Sequence, residues 1–170
     1  IYGKTMLSGA SNGRGGVLTS QLTKSHKNGW YCTAQGTLKR FGDVEAAEYI
    51  MSNTGLVEKD LSLRLGLNRF NHGLEAYYAY YNTEIGILRS SHAHGAADQI
   101  RAIESNVPLT IREFTYDIGY PKQDVTHHLA RIKAFRKFND FGKLSLQYDY
   151  QNNRRFEYDI RVGNDRNTPA

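Results

Sequence analysis

The sequence has little cysteine, little proline and no long apolar run, and each shortage excludes a class of protein. Its single cysteine, Cys32, cannot form an internal disulfide and is expected to pack as a small apolar residue. No segment approaches the roughly 18 consecutive apolar residues of a membrane helix, which excludes a helical membrane protein. With 3 prolines against 12 tyrosines and 7 phenylalanines, the composition favours strands and interfacial aromatic belts.

Charge and motifs argue against several further functions. The net charge of +5 is spread along the chain, so nucleic-acid binding is disfavoured. The run Gly13-Arg14-Gly15-Gly16 lacks the Lys-Ser/Thr pair and the helix of a phosphate-binding loop, and we interpret it as a turn. No nucleophile elbow and no paired carboxylates stand out, so the sequence indicates neither an enzyme nor a bound cofactor.

An alternation of period two dominates the segment from Lys143 to Val162. Its even positions are apolar or aromatic except at Asn152 and Arg154, and its odd positions are all polar or charged. Because successive side chains of a strand point to opposite faces of the sheet, the segment predicts a strand with one apolar and one polar face. A strand of this length spans roughly 65 Å at about 3.4 Å per residue, which favours a tall membrane barrel.

Four shorter segments repeat this pattern, two further strands at 4–10 and 17–24 are predicted although the second alternates poorly, and the connections between the strands alternate in length. Seven strands are predicted, at 4–10, 17–24, 30–39, 61–68, 74–88, 124–137 and 143–162. Turns are predicted at 11–16, 25–29, 70–73 and 138–142, and long loops at 41–60 and 89–123, the second with a helix near 96–105. Short turns at one end and long loops at the other are typical of outer-membrane barrels.

We therefore predict an all-β fold, in which antiparallel up-and-down strands form part of a transmembrane β-barrel with long extracellular loops. Residues 1–170 are expected to belong to one barrel domain. About seven strands make a partial barrel, because bacterial barrels begin at about eight strands and close to remove their edges. The apolar face is expected to contact outer-membrane lipid. A polar set is expected to face a wet lumen: Arg64, Glu75, Gln147, Asp149, Arg155, Glu157, Asp159 and Arg161.

Four stretches of the chain resemble a known family. They are Asn53-Thr54-Gly55 before the leucine-rich strand, Tyr80 to His92, Tyr120 to His128, and Gln147 to Tyr158. Together they look like the barrel of TonB-dependent outer-membrane receptors, especially those of Bacteroidetes-type bacteria. The resemblance covers most of the chain and is diffuse, without a single sharp motif.

The resemblance implies a location, partners and a function. Such receptors have about 22 strands, a plug domain inside the barrel and an energy supply through TonB, and they import scarce nutrients. The substrate expected here is a ferric siderophore or another iron chelate, and the location is the cell outer membrane. The chain is too short for such a receptor and shows neither a plug, nor a TonB-contacting segment, nor the usual C-terminal aromatic residue. We therefore expect a barrel segment whose plug and TonB contact belong to a parent chain.

Five residues are candidates for substrate contact at the extracellular loops and the lumen. They are His92, His94, Arg101, Arg155 and Arg161. Loops carry ligand selectivity on a rigid scaffold, and polar side chains in the lumen could guide a charged substrate. The simpler interpretation is that these are solvated residues of the barrel wall. His92, His94, His127 and His128 could also approach a metal, but no cysteine or acidic partner has ligand spacing, so no metal site is predicted.

Two other classes of protein stay open. A soluble all-β binding module, for example for glycans, would pack its tyrosine-rich faces as a sandwich core and bind through its long loops. A complete small barrel with a structural or adhesive role would need at least one more strand. The long unbroken register from Lys143 to Val162 favours the barrel wall over the sandwich.

Overall fold

The alternating segments fold into one antiparallel sheet, in a computed structural model that describes residues 1–91 and 95–160. Within these ranges the sheet has seven strands: β1 (Tyr2–Ala10), β2 (Gly15–Ser25), β3 (Trp30–Phe41), β6 (Leu56–Asn68), β7 (His72–Gly86), β8 (Lys122–Phe138) and β9 (Gly142–Tyr158). They pair in this order, so each strand lies beside its neighbours along the chain. A separate two-stranded pair consists of β4 (Val44–Glu45) and β5 (Ile50–Met51). The predicted all-β class and antiparallel meander are confirmed.

The predicted loop at 41–60 is wrong at both ends, because residues 56–60 belong to β6 and Phe41 belongs to β3. The charges of Glu58, Lys59 and Asp60 hide the alternation there. Glu58 nevertheless forms an ion pair at 3.0 Å with Lys39, which lies opposite it on β3. This cross-strand pair stabilises a charged residue within the sheet. The second loop occupies residues 87–121, two residues earlier than predicted at each end.

In the part of the chain that the structure describes, helical structure is confined to the connection between β7 and β8. The helix α1 (Ala96–Glu104) lies where the sequence predicts one, and a 3-10 turn occupies Arg89–Ser91. Asp98 in its first turn is ion-paired with Arg101, and no residue of α1 is buried. Within residues 1–91 and 95–160, the helical segments are too short and too polar to span a membrane.

The pairing registers divide the side chains between two faces. The apolar face includes the row Leu22, Ala34, Leu63, Tyr78, Ala130 and Tyr150, whose members lie directly opposite one another on successive strands. The polar face includes the row Thr23, Thr33, Arg64, Tyr77, Arg131 and Asp149. Cys32 lies on the apolar face, half-buried and with a free thiol. On β8, Ala130, Ile132 and Ala134 belong to the apolar face.

Connections of two kinds gather at opposite ends of the sheet. The turn end carries the links 26–29, 69–71 and 139–141, each of which joins two adjacent strands. The loop end carries the link 11–14 and the segments 42–55 and 87–121. The sheet is open within the described residues, with β1 and β9 at its edges.

Candidate functional site

The residues predicted to contact a substrate are not brought together in the described part of the chain. His92, His94 and Arg161 lie outside the described residues. Arg101 is exposed and pairs with Asp98 on its own helix, whereas Arg155 is exposed on β9 and pairs with Glu157 on the same strand. Each of these two arginines already has a local carboxylate, and no described contact joins one to the other.

The neighbouring histidines of β8 point to opposite faces, as the strand pattern predicts. His128 Nδ1 lies 2.9 Å from the hydroxyl of Tyr78 on the apolar face, and its ring centroid is 5.2 Å from that of Tyr80. His127 Nδ1 lies 3.3 Å from Asn153 Nδ2 on the polar face. Among the described residues, no group of three or more His, Cys, Asp or Glu side chains could hold a metal ion.

The polar face is connected by hydrogen bonds between side chains of adjacent strands. Toward β2 and β3, the pairs are Thr19–Thr37 at 3.1 Å and Thr23–Thr33 at 2.9 Å. Toward β9, Arg131 Nε lies 2.5 Å from Asp149 Oδ1, and Gln147 donates to the second carboxylate oxygen of Asp149 at 2.7 Å. The polar face therefore presents hydroxyl groups on β2 and β3 and paired charges on β8 and β9. Six residues predicted to face a lumen share this surface: Arg64, Glu75, Gln147, Asp149, Arg155 and Glu157.

A tyrosine crosses one strand on the polar face because a glycine lies beneath it. Tyr31, Gly66 and Glu75 occupy one row on β3, β6 and β7, and the Tyr31 hydroxyl donates to Glu75 Oε2 at 2.5 Å. A Cβ at Gly66 would lie 2.4 Å from Cζ of Tyr31, so a side chain there would displace the ring. Arg64 Nε lies 3.9 Å from the same carboxylate, which links the tyrosine to the charges of the face.

At the loop end, one side chain holds the two long connections together. Asn53 has a positive φ of 65°, which asparagine tolerates better than most residues. Its amide nitrogen donates to the carbonyl oxygens of Ile87 at 2.8 Å and Pro121 at 2.7 Å, and its amide oxygen accepts from Gly119 N at 2.7 Å. Both ends of the 87–121 segment are thereby fixed to the 42–55 segment.

A second cluster at the loop end combines arginines with aromatic rings. Arg14 pairs with Glu45 at 2.5 Å, and its guanidinium lies 4.1 Å from the ring centroid of Phe114. The guanidinium of Arg40 lies 5.3 Å from the ring centroid of Tyr116, whose hydroxyl donates to the Arg14 carbonyl oxygen at 2.6 Å. We call Arg14, Arg40, Phe114 and Tyr116 the arginine–aromatic cluster. A cavity of about 400 Å³ opens between Arg14, Gly16, Arg40 and Tyr116.

The apolar face carries a continuous band of solvent-exposed hydrophobic side chains. Leu7 is 83% exposed and Leu146 is 74% exposed, and no hydrophobic side chain of the described residues is buried. We call this surface the apolar band. Its members with large exposed side chains are Leu7, Leu18, Leu22, Trp30, Leu38, Leu61, Leu63, Leu65, Leu74, Tyr78, Ile132, Leu144, Leu146, Tyr148 and Tyr150. A surface of this extent is far larger than the apolar patches that monomeric proteins normally leave in water.

The apolar band crosses the rows of paired residues obliquely. On β2 it extends from Leu18 to Leu22, and on β9 from Tyr150 to Leu144. The registers place Leu22 and Tyr150 in one row, although Leu22 lies at the turn end of the band and Tyr150 at its loop end. Over the five spacings from β2 to β9, the limits of the band shift by four residues at the loop end and six at the turn end. At about 3.4 Å per residue and about 4.8 Å per strand, the band is inclined by roughly 30–40°.

Aromatic rings flank the apolar band at its turn end, and a second group of rings lies farther out at the loop end of the sheet. At the turn end, Phe70 and Phe141 are 87% and 91% exposed, and Lys137 Nζ lies 4.8 Å from the Phe70 ring centroid. At the loop end of the sheet, Lys122 Nζ lies 5.5 Å from the ring centroids of both Tyr120 and Tyr158, and Tyr158 is eight residues beyond the limit of the band at Tyr150. Only the turn-end rings therefore lie beside a cation at the edge of the band, a position that suits an interface between an apolar and an aqueous phase.

Sequence reasoning did not find the Asn53 bridge or the arginine–aromatic cluster. Tyr116 and Arg14 lie 102 positions apart, and nothing in their local pattern indicates that they meet. The Gly13-Arg14-Gly15-Gly16 run was predicted to be a turn, and Arg14 N does donate to Ser11 O at 3.0 Å within it. No local signal identified Arg14 and Arg40 as neighbours of the same aromatic pair.

Comparison with protein-family models, with curated proteins and with solved structures finds no match to this chain.

Proposed function

We propose that this chain is part of the wall of an outer-membrane β-barrel, in a receptor of the TonB-dependent type. The observation that carries the proposal is the apolar band, which covers one face of a seven-stranded meander and leaves its leucines exposed. A sheet with one apolar and one polar face is stable in a bilayer when the apolar face meets lipid and all strands pair within the wall.

The inclination of the band supports a membrane location. Strands of outer-membrane barrels tilt by roughly 35–45° from the membrane normal, so a lipid-facing band must cross the sheet at a similar angle. The band on this sheet is inclined by roughly 30–40° to the rows of paired residues.

The height of the band also supports the proposal. On β3 it extends from Trp30 to Leu38, which is about 27 Å along the strand at about 3.4 Å per residue. With a strand tilt of roughly 40°, the band is about 21 Å tall along the membrane normal on β3, its tallest strand, where it approaches the roughly 25 Å apolar band of outer-membrane barrels, and it is shorter on β2 and β9. At the turn end, Phe70 and Phe141 lie where such barrels carry an aromatic girdle.

The transport function depends on the resemblance to TonB-dependent receptors and on the polar face. In a closed barrel this face would line the lumen, where its paired charges and hydroxyl groups would contact a plug domain or an incoming solute. We propose that the solute is a ferric siderophore or another iron chelate. The exposed apolar band favours this barrel wall over the soluble glycan-binding module, whose sandwich core would need a second sheet against it.

The test compares the 170-residue chain in buffer, in detergent and in lipid vesicles by circular dichroism and analytical ultracentrifugation. We expect aggregation in buffer and β structure in detergent and vesicles. Trp30 is the sole tryptophan and lies at the turn-end edge of the apolar band, so its fluorescence should be quenched by lipids brominated near the headgroup. A soluble, monomeric chain that unfolds cooperatively without detergent would overturn the proposal and favour the binding module.

A further inference from the structure

A groove interrupts the apolar face near the loop end of β1, β2, β3 and β6. Leu7, Leu18, Leu38 and Val57 line it, and its volume is about 450 Å³. Leu7, Leu18 and Leu38 share one row of paired residues. The next row on the same face, toward the loop end, contains Gly9, Gly16, Arg40 and Val57, so on β1 and β2 it has no side chain that could fill the groove. The groove is therefore an open, leucine-lined depression at the loop-end edge of the apolar band.

Two exposed cations flank this groove. Arg40 lies opposite Val57, and Lys59 lies opposite Leu38, so the two side chains are diagonal neighbours on β3 and β6, typically about 7–8 Å apart. Glu58 also lines the groove, and its carboxylate is paired with Lys39 at 3.0 Å. Within the described ranges, no carboxylate lies within ion-pair distance of Arg40 or Lys59. The carboxylates on the row of Arg40 begin two strands away with Glu84, which is already paired with Lys122 at 2.6 Å.

The groove is continuous with the cavity of the arginine–aromatic cluster. Gly16 and Arg40 line both spaces, so the leucine groove and the arginine cavity meet at these two residues. Arg40 lies against the Tyr116 ring, and the charge of Arg14 is offset by Glu45. The combined site is apolar on the side of the band and cationic on the side of the loops.

We propose that this site binds one phosphate-bearing anionic lipid of the membrane in which the wall lies. This inference rests on the proposed membrane location. One acyl chain would lie along Leu7, Leu18 and Leu38, and the phosphate would lie between Arg40 and Lys59. Arginine binds phosphate through two parallel N–H donors, and lysine adds a point charge on an aliphatic stem that can lie beside Leu38.

The geometry favours a lipid over free phosphate. A free anion would use only the two cations and would gain nothing from the leucine groove. The site also lies at the edge of the apolar band, which is the level of the headgroups when the band lies in a bilayer. A lipid matches both halves of the site at once.

Native mass spectrometry of the folded chain in detergent can test this proposal. The probes are phosphatidylglycerol, phosphatidylcholine and inorganic phosphate, each added at the same concentrations. We compare the wild-type chain with the double variant Arg40→Gln/Lys59→Gln and with Lys133→Gln/Lys143→Gln. The second variant removes the same charge from the polar face, where Lys133 and Lys143 are exposed.

We expect the wild-type chain to retain one phosphatidylglycerol in preference to phosphatidylcholine. The Arg40→Gln/Lys59→Gln variant should bind it roughly 20–30-fold more weakly, since each basic residue at an anionic surface contributes a factor of about five. The Lys133→Gln/Lys143→Gln variant should bind like the wild-type chain. Leu38→Ala should also weaken the retention of phosphatidylglycerol, because the acyl chain loses a contact.

Three results would overturn the lipid site. They are equal retention by the wild-type chain and Arg40→Gln/Lys59→Gln, equal retention of the two lipids, and displacement of the lipid by millimolar inorganic phosphate. Circular dichroism and Trp30 quenching in vesicles are measured on every variant. A chain that does not enter vesicles contradicts the barrel proposal and the lipid site together, whereas normal insertion with no lipid preference contradicts the lipid site alone.

Discussion

At the residue scale, neighbouring positions of one strand lie in different environments. Leu63 lies in the apolar band, 41% exposed, in a row with Ala34 and Tyr78. Ser62 precedes it on β6 and lies on the polar face between Gln35 and Ala79. If one face meets lipid and the other meets water, the same substitution must have different costs at these two positions.

Arginine at these two positions tests that difference. Leu63→Arg should reduce the free energy of unfolding in vesicles by about 2–4 kcal/mol, because it places a charge on the lipid face near mid-band. Ser62→Arg should change it by less than about 1 kcal/mol, since surface substitutions into water have small effects. Urea unfolding of the vesicle-inserted chain measures both values. Equal costs at the two positions would mean that the faces are not lipid and water.

Gly66 provides a second prediction at the residue scale. Gly66→Val should displace the Tyr31 ring that lies over it and reduce the free energy of unfolding by about 1–3 kcal/mol, as overpacking typically does. In a Tyr31→Ala background, the same substitution should cost much less, because the ring is absent. The double-mutant cycle isolates this interaction by urea unfolding. A cost that is unchanged in the Tyr31→Ala background would contradict the role assigned to the tyrosine.

At the scale of elements, the long connections are fixed to one another and do not extend freely from the sheet. Asn53 joins the segment 42–55 to both ends of the segment 87–121. Ser52 is buried and its hydroxyl accepts from Arg112 N at 2.7 Å, which adds a contact in the middle of the longer segment. The two long connections therefore form one hydrogen-bonded layer at the loop end of the sheet.

Asn53→Asp tests the importance of this bridge. The substitution removes the amide donor to the Ile87 and Pro121 carbonyl oxygens, and each lost hydrogen bond costs about 1 kcal/mol. We expect trypsin to cleave the 87–121 segment several-fold faster in the variant. Asn153→Asp, on the polar face of β9, is the matched control and should leave the cleavage rate unchanged. Identical digestion of Asn53→Asp and the wild-type chain would show that other contacts hold the loops.

The sequence predicted the elements better than the contacts between them. Period-two alternation identified five of the seven strands of the sheet, the turn residues at 11–16 and 25–29 delimited the first two, and the apolar spacing located α1, because these patterns are local. It failed for residues 56–60, where charges on both faces of β6 replace the alternation. The arginine–aromatic cluster and the Asn53 bridge join residues tens of positions apart, and no local pattern encodes such contacts. The substrate prediction at Arg101 and Arg155 used residue type alone and did not anticipate their carboxylate partners.

At the scale of the whole molecule, the two edge strands limit where this sheet can be stable. No residue of β9 is buried, and every residue of β1 is exposed. Unpaired backbone groups are costly in a hydrocarbon environment, so a wall in a bilayer requires further strands beside β1 and β9. A closed barrel meets this requirement, with further strands from the rest of a longer chain or, in vesicles of the 170-residue chain, from other copies paired edge to edge. Either closure places the apolar band outside and the polar face inside.

The most direct test of this account is a comparison of neighbouring positions on β9. Single cysteines are introduced at Gln147, Tyr148, Asp149 and Tyr150 in a Cys32→Ser chain, labelled with an environment-sensitive fluorophore and reconstituted in vesicles. Probes at Tyr148 and Tyr150 should be quenched by nitroxide lipids, and probes at Gln147 and Asp149 by aqueous iodide, because the side chains alternate between faces. Quenching without alternation, or iodide access at all four positions, would contradict the claim that the apolar band faces lipid.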